Sequence, residues 1–155
     1  MKNFIFLLLP VLILGCTRHI DRATAKSGAD REAFVASVLA IGKAYLLSQP
    51  PTGGPAANSA PSPTLEVTVD SLTAFGISAS RRVSDAYLNS VHPELSAMYR
   101  DKLIAGARLW QKGLRMSRTE GGVAGLDEQA AAAALDSEWV VWLDKHVEVN
   151  QMVVP

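Results

Sequence analysis

Apolar residues recur with the period of an α-helix over four segments of the chain. The segments run from Asp30 to Ser48, from Ser80 to Val91, from Pro93 to Met116 and from Leu126 to His146. In each segment the large apolar side chains gather on one face when successive residues are placed about 100° apart. The pattern therefore predicts four amphipathic helices.

Particular residues mark the ends and contacts of these predicted helices. Asp30 is a residue type that caps helix N-termini well, and Pro93 suits a first helical turn, where no N–H donor is needed. Gly106 lies in the middle of the apolar face of the third helix. Since glycine weakens a helix, we interpret Gly106 as a point where another element approaches closely.

Two stretches alternate between apolar and polar residues instead of following a helical period. One runs from Leu65 to Val69, and the other contains Val147 and Val149. Alternation is typical of a half-buried strand, so both are predicted as short β segments. For Leu72 to Ile77 a strand and a helix fit the residues almost equally well.

The first residues form a short apolar run that ends at the only cysteine of the chain. Lys2 precedes the apolar run. The last four residues of the run, Ile13 to Cys16, read Ile-Leu-Gly-Cys, and the chain turns polar at Thr17. A basic start, an apolar run and a small residue before the cleavage point are the parts of a secretory signal peptide. The run is too short for a transmembrane helix, which needs about 20 apolar residues.

The residues Ile13 to Cys16 resemble the lipobox of bacterial lipoproteins. This resemblance implies that the chain is cut before Cys16 and that Cys16 carries lipid as the new N-terminus. Enterobacterial lipoproteins that stay in the inner membrane have Asp after the cysteine. Thr17 stands there in this chain, so the resemblance implies an outer-membrane anchor and a periplasm-facing protein.

The predicted fold is mainly α: a small bundle of about four helices with a minor β element, preceded by a signal peptide and a flexible tether. Five divisions follow along the chain. They are a signal peptide (residues 1–15), a lipidated tether (16–29), a helix (30–49), a linker rich in Pro, Gly, Ser and Ala (50–64) and a mainly helical domain (65–155). The linker contains five prolines, which exclude a regular helix through its length.

Positive and negative charges balance in total but are separated along the chain. Lys and Arg number 15, as do Asp and Glu. Cations dominate from Glu94 to Arg118, and acids dominate from Glu120 to Glu148. We expect the two helices in these ranges to pack together and neutralise each other, although a basic face can also lie on an anionic membrane surface. The balanced total argues against nucleic acid as a partner.

The sequence contains no motif typical of an active site. The glycine-rich stretch 121–125 lacks the Lys-Ser/Thr pair of a phosphate loop, and no Gly-x-Ser-x-Gly elbow occurs. His19, His92 and His146 are far apart in the sequence. We therefore predict no catalytic residue, no metal site, no cofactor and no enzymatic activity.

One group of acids on the last predicted helix has an alternative interpretation. On a helical wheel Glu128, Trp139, Trp142 and His146 point roughly one way, and Asp136 and Glu138 flank them. A pair of carboxylates is the catalytic unit of glycan-cleaving enzymes. Ion pairing with the basic helix explains the same acids more simply, and we favour that interpretation.

Our main hypothesis from these observations is that the chain is a binding protein of the bacterial envelope. The expected partners are the membrane, through the N-terminal lipid, and another envelope protein, as in accessory or pilot proteins of secretion, pilus or conjugation machines. The candidate interaction residues are Arg108, Lys112, Arg115, Trp139 and Trp142. The alternative is a periplasmic enzyme acting on the cell wall, or a lipoprotein that inhibits an enzyme or gives immunity to a toxin.

The lipobox interpretation predicts the outcome of replacing Cys16. Cys16→Ser should leave a larger, unprocessed precursor that incorporates no labelled fatty acid, because the lipid acceptor is gone. Metabolic labelling and gel mobility measure both properties. A variant that is processed and acylated like the wild type would refute the lipoprotein hypothesis.

Overall fold

The computed structural model describes residues 9–49, 63–121 and 123–153, with side chains from Lys26 onwards. Six helices and no strand make up these described residues. The helices are α1 (Leu9–Ser48), α2 (Pro63–Ser80), α3 (Asp85–Val91), α4 (the consecutive segments Leu95–Ala97, Met98–Ile104 and Ala105–Glu120), α5 (Leu126–Lys145) and α6 (Val147–Val153). The prediction of a mainly α fold is confirmed, whereas the minor β element and the count of four helices are not.

The predicted strand at Leu65 to Val69 is wrong, because these residues lie in helix α2. Val69 and Ile77, eight residues apart, are both buried, as expected for one face of a helix, while Val67 is 65 % exposed. The apolar and polar residues alternate over these five positions only because they are a short part of a helix with apolar residues on one face. Residues 72–77, for which the sequence left two choices, are helical as well.

The second predicted β segment is also helical. Val147 begins α6 and is 56 % exposed, whereas Val149 and Val153 are almost completely buried. The burial follows the four-residue spacing of a helix and not the two-residue spacing of a strand.

Helix α1 begins upstream of the predicted start. It runs from Leu9, so Asp30 lies inside it and does not cap it. Asp30 is buried, and its carboxylate accepts a hydrogen bond from the Ser84 hydroxyl at 2.5 Å. Residues 16–29, predicted as a tether, continue the helix, and their role as a tether stays a prediction. Most of the predicted linker, residues 50–62, lies outside the described residues.

Arg100 bridges the connection between α2 and α4. Arg100 donates hydrogen bonds to the carbonyl of Ser80 at 2.9 Å and to the carbonyl of Val83 at 2.5 Å, and its Nε donates to the Asp85 carboxylate at 3.1 Å. Ser80 is the last residue of α2, where helix carbonyls lack partners within the helix. Arg100 thereby links the end of α2 to the start of α3.

Helix α4 contains a π-helical segment, Met98–Ile104. A π-helix pairs each N–H with the carbonyl five residues earlier and occurs mostly as single turns within α-helices. Tyr99, Leu103 and Ile104 of this segment are all buried. The wider turn thus directs two consecutive residues, Leu103 and Ile104, into the core.

A series of aromatic ring contacts crosses the core from α1 to α5. The Phe34 and Tyr99 ring centroids lie 5.1 Å apart in a T-shaped arrangement, and Tyr99 lies 6.4 Å from Trp139. Trp139 stacks on Trp142 at 5.8 Å. Offset and edge-to-face contacts are the preferred geometries for aromatic pairs, and burial raises the pKa of Tyr99 to about 12. Leu88 of α3 and Val149 of α6 complete this core.

Glycines allow the helices to approach closely at three contacts. A Cβ atom on Gly76 of α2 would lie 2.6 Å from Cγ1 of Ile41 on α1. A Cβ atom on Gly106 of α4 would lie 3.4 Å from the carbonyl oxygen of Ala132 on α5, so the predicted close approach at Gly106 is confirmed.

The tightest of these contacts joins Gly113 of α4 to Gly125, which precedes α5. A Cβ on Gly113 would lie 2.7 Å from the Gly125 carbonyl oxygen, and a Cβ on Gly125 would overlap the Gly113 backbone. Gly125 also has a φ of +83°, a conformation that residues with a side chain rarely adopt. Only glycine at both positions satisfies this geometry.

Gly113→Ala should destabilise the fold, because the new methyl group meets backbone atoms that cannot rotate away. Overpacking of this kind costs about 1–3 kcal/mol, which exceeds the gain in helix propensity. Thermal and urea unfolding of the variant measure the change.

Gly42→Ala is the matched control, since a Cβ atom on Gly42 of α1 has no neighbour within 4 Å. That substitution should raise the free energy of unfolding by about 0.5–1 kcal/mol. Equal stabilisation by both substitutions would show that α4 and α5 do not approach each other as described.

Candidate functional site

The basic face of α4 is partly neutralised by α5. Lys112 pairs with Glu128 at 2.9 Å, and Lys102 pairs with Glu138 at 2.5 Å. The expectation that these two helices pack together and share charge is therefore confirmed for two ion pairs. Such partly exposed pairs each contribute about 0–1 kcal/mol, so they add little to the stability of the fold.

The remaining cations of this face of α4 form no ion pair with α5 among the described residues. Arg118 pairs with Asp70 of α2 at 3.3 Å. Arg108 and Arg115 are exposed and form no ion pair within the part of the chain that the structure describes. Together with Lys112, they follow a spacing of four and three residues and share one side of the helix. We call Arg108, Lys112 and Arg115 the basic strip.

The two tryptophans that the sequence proposed for partner binding lie in the core. Trp139 is 3 % exposed and Trp142 is 8 % exposed. Both pack within the aromatic series described above, which leaves little of either ring for a partner. Of the five candidate interaction residues, only the three cations of the basic strip are on the surface.

The solvent-facing side of α2 has an unusual composition. Its exposed residues from Val67 onwards are Val67, Thr68, Ser71, Ala74, Phe75 and Ser78, and we call this set the α2 outer face. None carries a charge, and the side chains of Val67 and Phe75 are 65 % and 53 % exposed. The nearby acid Asp70 is turned to α4, where it accepts hydrogen bonds from Gln111 and Arg118.

Further large apolar side chains are exposed on other helices. Leu39 and Leu46 of α1 are 47 % and 74 % exposed, and Val140 and Val141 of α5 are 53 % and 51 % exposed. Single exposed apolar residues are common on soluble proteins. The α2 outer face differs from them because its apolar residues share one helix face with uncharged neighbours only.

A small, partly open pocket lies where α1, α2, α4 and α5 meet. Tyr45, Thr73, Trp110 and Asp136 contribute polar groups to its otherwise apolar wall. The indole N–H of Trp110 is buried without a hydrogen-bond partner among the described residues. Burial raises the pKa of Asp136. The pKa of Tyr45 is also raised, mainly by burial and to a smaller extent by the negative charge of Asp136.

The three acids that suggested glycan chemistry occupy different environments. Glu128 and Glu138 are each paired with a lysine, while Asp136 lines the pocket. The hydrogen bond from Lys112 lowers the pKa of Glu128, the opposite of the change in Asp136. The ion-pairing interpretation therefore accounts for two of the three acids.

The structure brings together two histidines that are distant in the sequence. His92 follows α3 and His146 separates α5 from α6, yet their ring centroids lie 4.6 Å apart. Glu94 joins them, so that one ligand atom from each of the three residues lies within 4.8 Å of the others. We call His92, Glu94 and His146 the histidine cluster. The sequence contains no spacing motif for it, because the contact depends on how two helix junctions pack.

Comparison of the chain with protein-family models, with curated proteins and with solved structures found no match. Among the described residues, no helix combines the length and the hydropathy needed to cross a bilayer.

Asp136→Asn should stabilise the protein at neutral pH. Because the folded protein holds the Asp136 proton more tightly than the unfolded chain does, stability falls as the pH rises from the ordinary carboxyl pKa through the raised one. The amide cannot ionise, so this loss should be absent in the variant. Thermal unfolding at a series of pH values from acid to neutral measures the difference.

Asp144→Asn is the control, as Asp144 is an exposed aspartate of the same helix; its effect should be small at every pH. A midpoint for Asp136→Asn below that of the wild type at neutral pH would contradict the argument. It would show that the ionised carboxylate makes a stabilising contact.

Proposed function

We propose that this protein is a periplasm-facing lipoprotein, anchored to the outer membrane through Cys16, that binds another envelope protein. It acts as an accessory or pilot component of a secretion, pilus or conjugation apparatus and does not turn over a substrate. The α2 outer face is the contact surface for the protein partner. The lipid and the location rest on the lipobox resemblance, and the contact surface rests on the fold.

The observation that carries the binding proposal is the uncharged, partly apolar composition of the α2 outer face. Binding surfaces are depleted of charge at their centres and enriched in aromatic residues. Phe75 and Val67 provide exposed apolar area on one side of a helix whose opposite side is buried. The helix is itself firmly placed, because the Ser37 hydroxyl of α1 donates a buried hydrogen bond to the Gly76 carbonyl at 2.8 Å.

The basic strip supplies a second feature that a partner can recognise. Arg108 and Arg115 have no ion pair among the described residues, so they remain available to acidic groups on a partner. Charges of this kind accelerate association and orient the encounter more than they raise affinity. We therefore assign the basic strip a supporting role and the α2 outer face the main one.

Site-specific photocrosslinking in the native host tests this proposal. A photoreactive phenylalanine analogue at position 75 or 67 should give one discrete adduct with an envelope protein. The same analogue at Lys43, an exposed residue of α1, is the matched control and should give none. Phe75→Asp should abolish the adduct formed from position 67 and should impair the host function, with an unchanged thermal midpoint.

Two results would argue against the proposal. An adduct that forms equally well from position 43 would indicate non-specific proximity. A Phe75→Asp variant that keeps both the adduct and the host function would show that the α2 outer face does not carry the contact.

A further inference from the structure

We propose that His92, Glu94 and His146 form a binding site for a divalent transition-metal ion, with Zn²⁺ as the best-fitting ion. The donor set is two imidazole nitrogens and one carboxylate oxygen, a combination found in zinc sites that keep a fourth position open. The site is independent of the α2 outer face and goes beyond the partner binding proposed above.

The spacing of the three residues is close to what a metal ion requires. The potential ligand atoms lie within 4.8 Å of one another. Zn–N and Zn–O bonds of 2.0–2.2 Å place tetrahedral ligands about 3.4 Å apart. Glu94 is exposed and both histidines are partly exposed, so modest side-chain rotations can close this difference without moving the core.

His146 is held in the form that binds a metal. Its Nδ1 lies 2.7 Å from the carbonyl oxygen of Trp142. Because a carbonyl oxygen only accepts hydrogen bonds, Nδ1 must carry the proton in this contact, and the neutral ring then has its lone pair on Nε2. A backbone carbonyl that fixes the histidine tautomer in this way is the usual outer-shell partner of a metal ligand.

Trp142 also orients the carboxylate. Its indole Nε1–H donates to Oε2 of Glu94 at 3.0 Å, which leaves Oε1 for a metal ion. The Trp142 ring is buried and stacks on the His146 ring, with centroids 4.1 Å apart. One rigid side chain thus positions two of the three ligands.

His92 is the less favourable ligand. Its Nδ1 accepts a hydrogen bond from the backbone N–H of Glu94 at 3.2 Å, so the lone pair of the neutral ring lies on Nδ1. Metal binding through Nδ1 of His92 would replace that hydrogen bond. Metal binding through Nε2 of His146 would leave the hydrogen bond of its Nδ1 intact. We therefore expect His92 to contribute less to metal affinity than His146 does.

The position of the site gives a bound metal a structural consequence. His92 lies between α3 and α4, and His146 lies between α5 and α6. A metal ion held by both therefore cross-links two helix junctions. Since two neutral imidazoles and one carboxylate leave a net positive charge with Zn²⁺, the open position favours water or an anionic group.

Zinc titration of the full chain, purified in detergent and freed of metal with a chelator, tests the proposal. Competition against a chromophoric chelator measures affinity and stoichiometry, and Co²⁺ absorption reports the coordination geometry. We expect one ion per chain. Trp142→Phe, which keeps an aromatic ring but removes the N–H donor, should weaken binding about 10-fold, and His146→Ala should weaken it more.

Glu94→Gln keeps the fold testable if a histidine variant unfolds. The amide preserves the size of the side chain and an acceptor for Trp142 but is a poor metal ligand, so zinc affinity should fall while the thermal midpoint without metal stays the same. His19→Ala and Glu32→Gln are the matched controls, and both should bind zinc like the wild type.

Three outcomes would overturn the proposal. They are the absence of a stoichiometric site, wild-type affinity in both His146→Ala and Glu94→Gln, and loss of binding in His19→Ala. The last would assign the zinc to a different histidine.

Discussion

Close approach of helix backbones is the constraint on which this fold depends. Gly76 lets α2 lie against α1, and Gly106 and Gly113 let α4 lie against α5. With the helices this close, the Ser37 hydroxyl reaches the Gly76 carbonyl across the first pair, and lysines of α4 reach glutamates of α5 across the second. The aromatic series between Phe34 and Trp142 fills the space between the two pairs. A chain of this size with a single cysteine has no intrachain disulfide to rely on, so it depends on this packing.

The sequence predicted the helices whose apolar period extends over many residues and failed where the segment considered was short. The segment from Leu126 to His146 was predicted within one residue of its observed end, because both its length and its spacing are helical. The residues Leu65 to Val69 were misassigned because five residues cannot distinguish a two-residue period from part of a longer one. Asp30 was misassigned as a helix cap because a buried aspartate and a capping aspartate look alike until their partner, here Ser84, is known.

The candidate sites were less accessible to sequence reasoning than the helices were. The basic strip could be predicted because its three cations lie on one helix. The choice between core and surface for Trp139 and Trp142 could not be settled, since the ring partner of Trp139 is Tyr99 from another helix. The histidine cluster requires two helix junctions to meet, and no local pattern encodes that meeting. The outer face of α2 went unrecognised because it exists only if the segment is helical.

The π-helical turn of α4 has a consequence for an isolated peptide with the sequence of this helix. The turn contains one residue more than an α-helical turn, so a regular helical wheel drawn from Leu95 misplaces every residue after Ile104 by about 100°. In a peptide copied from α4 and free to relax into a regular α-helix, the residues after Ile104 would be rotated relative to those before Met98. The basic strip and Tyr99 would then no longer keep their native angular relation. The relative orientation of the two parts of α4 is thus a property of the packed helix, in which Leu103 and Ile104 both lie inside the core.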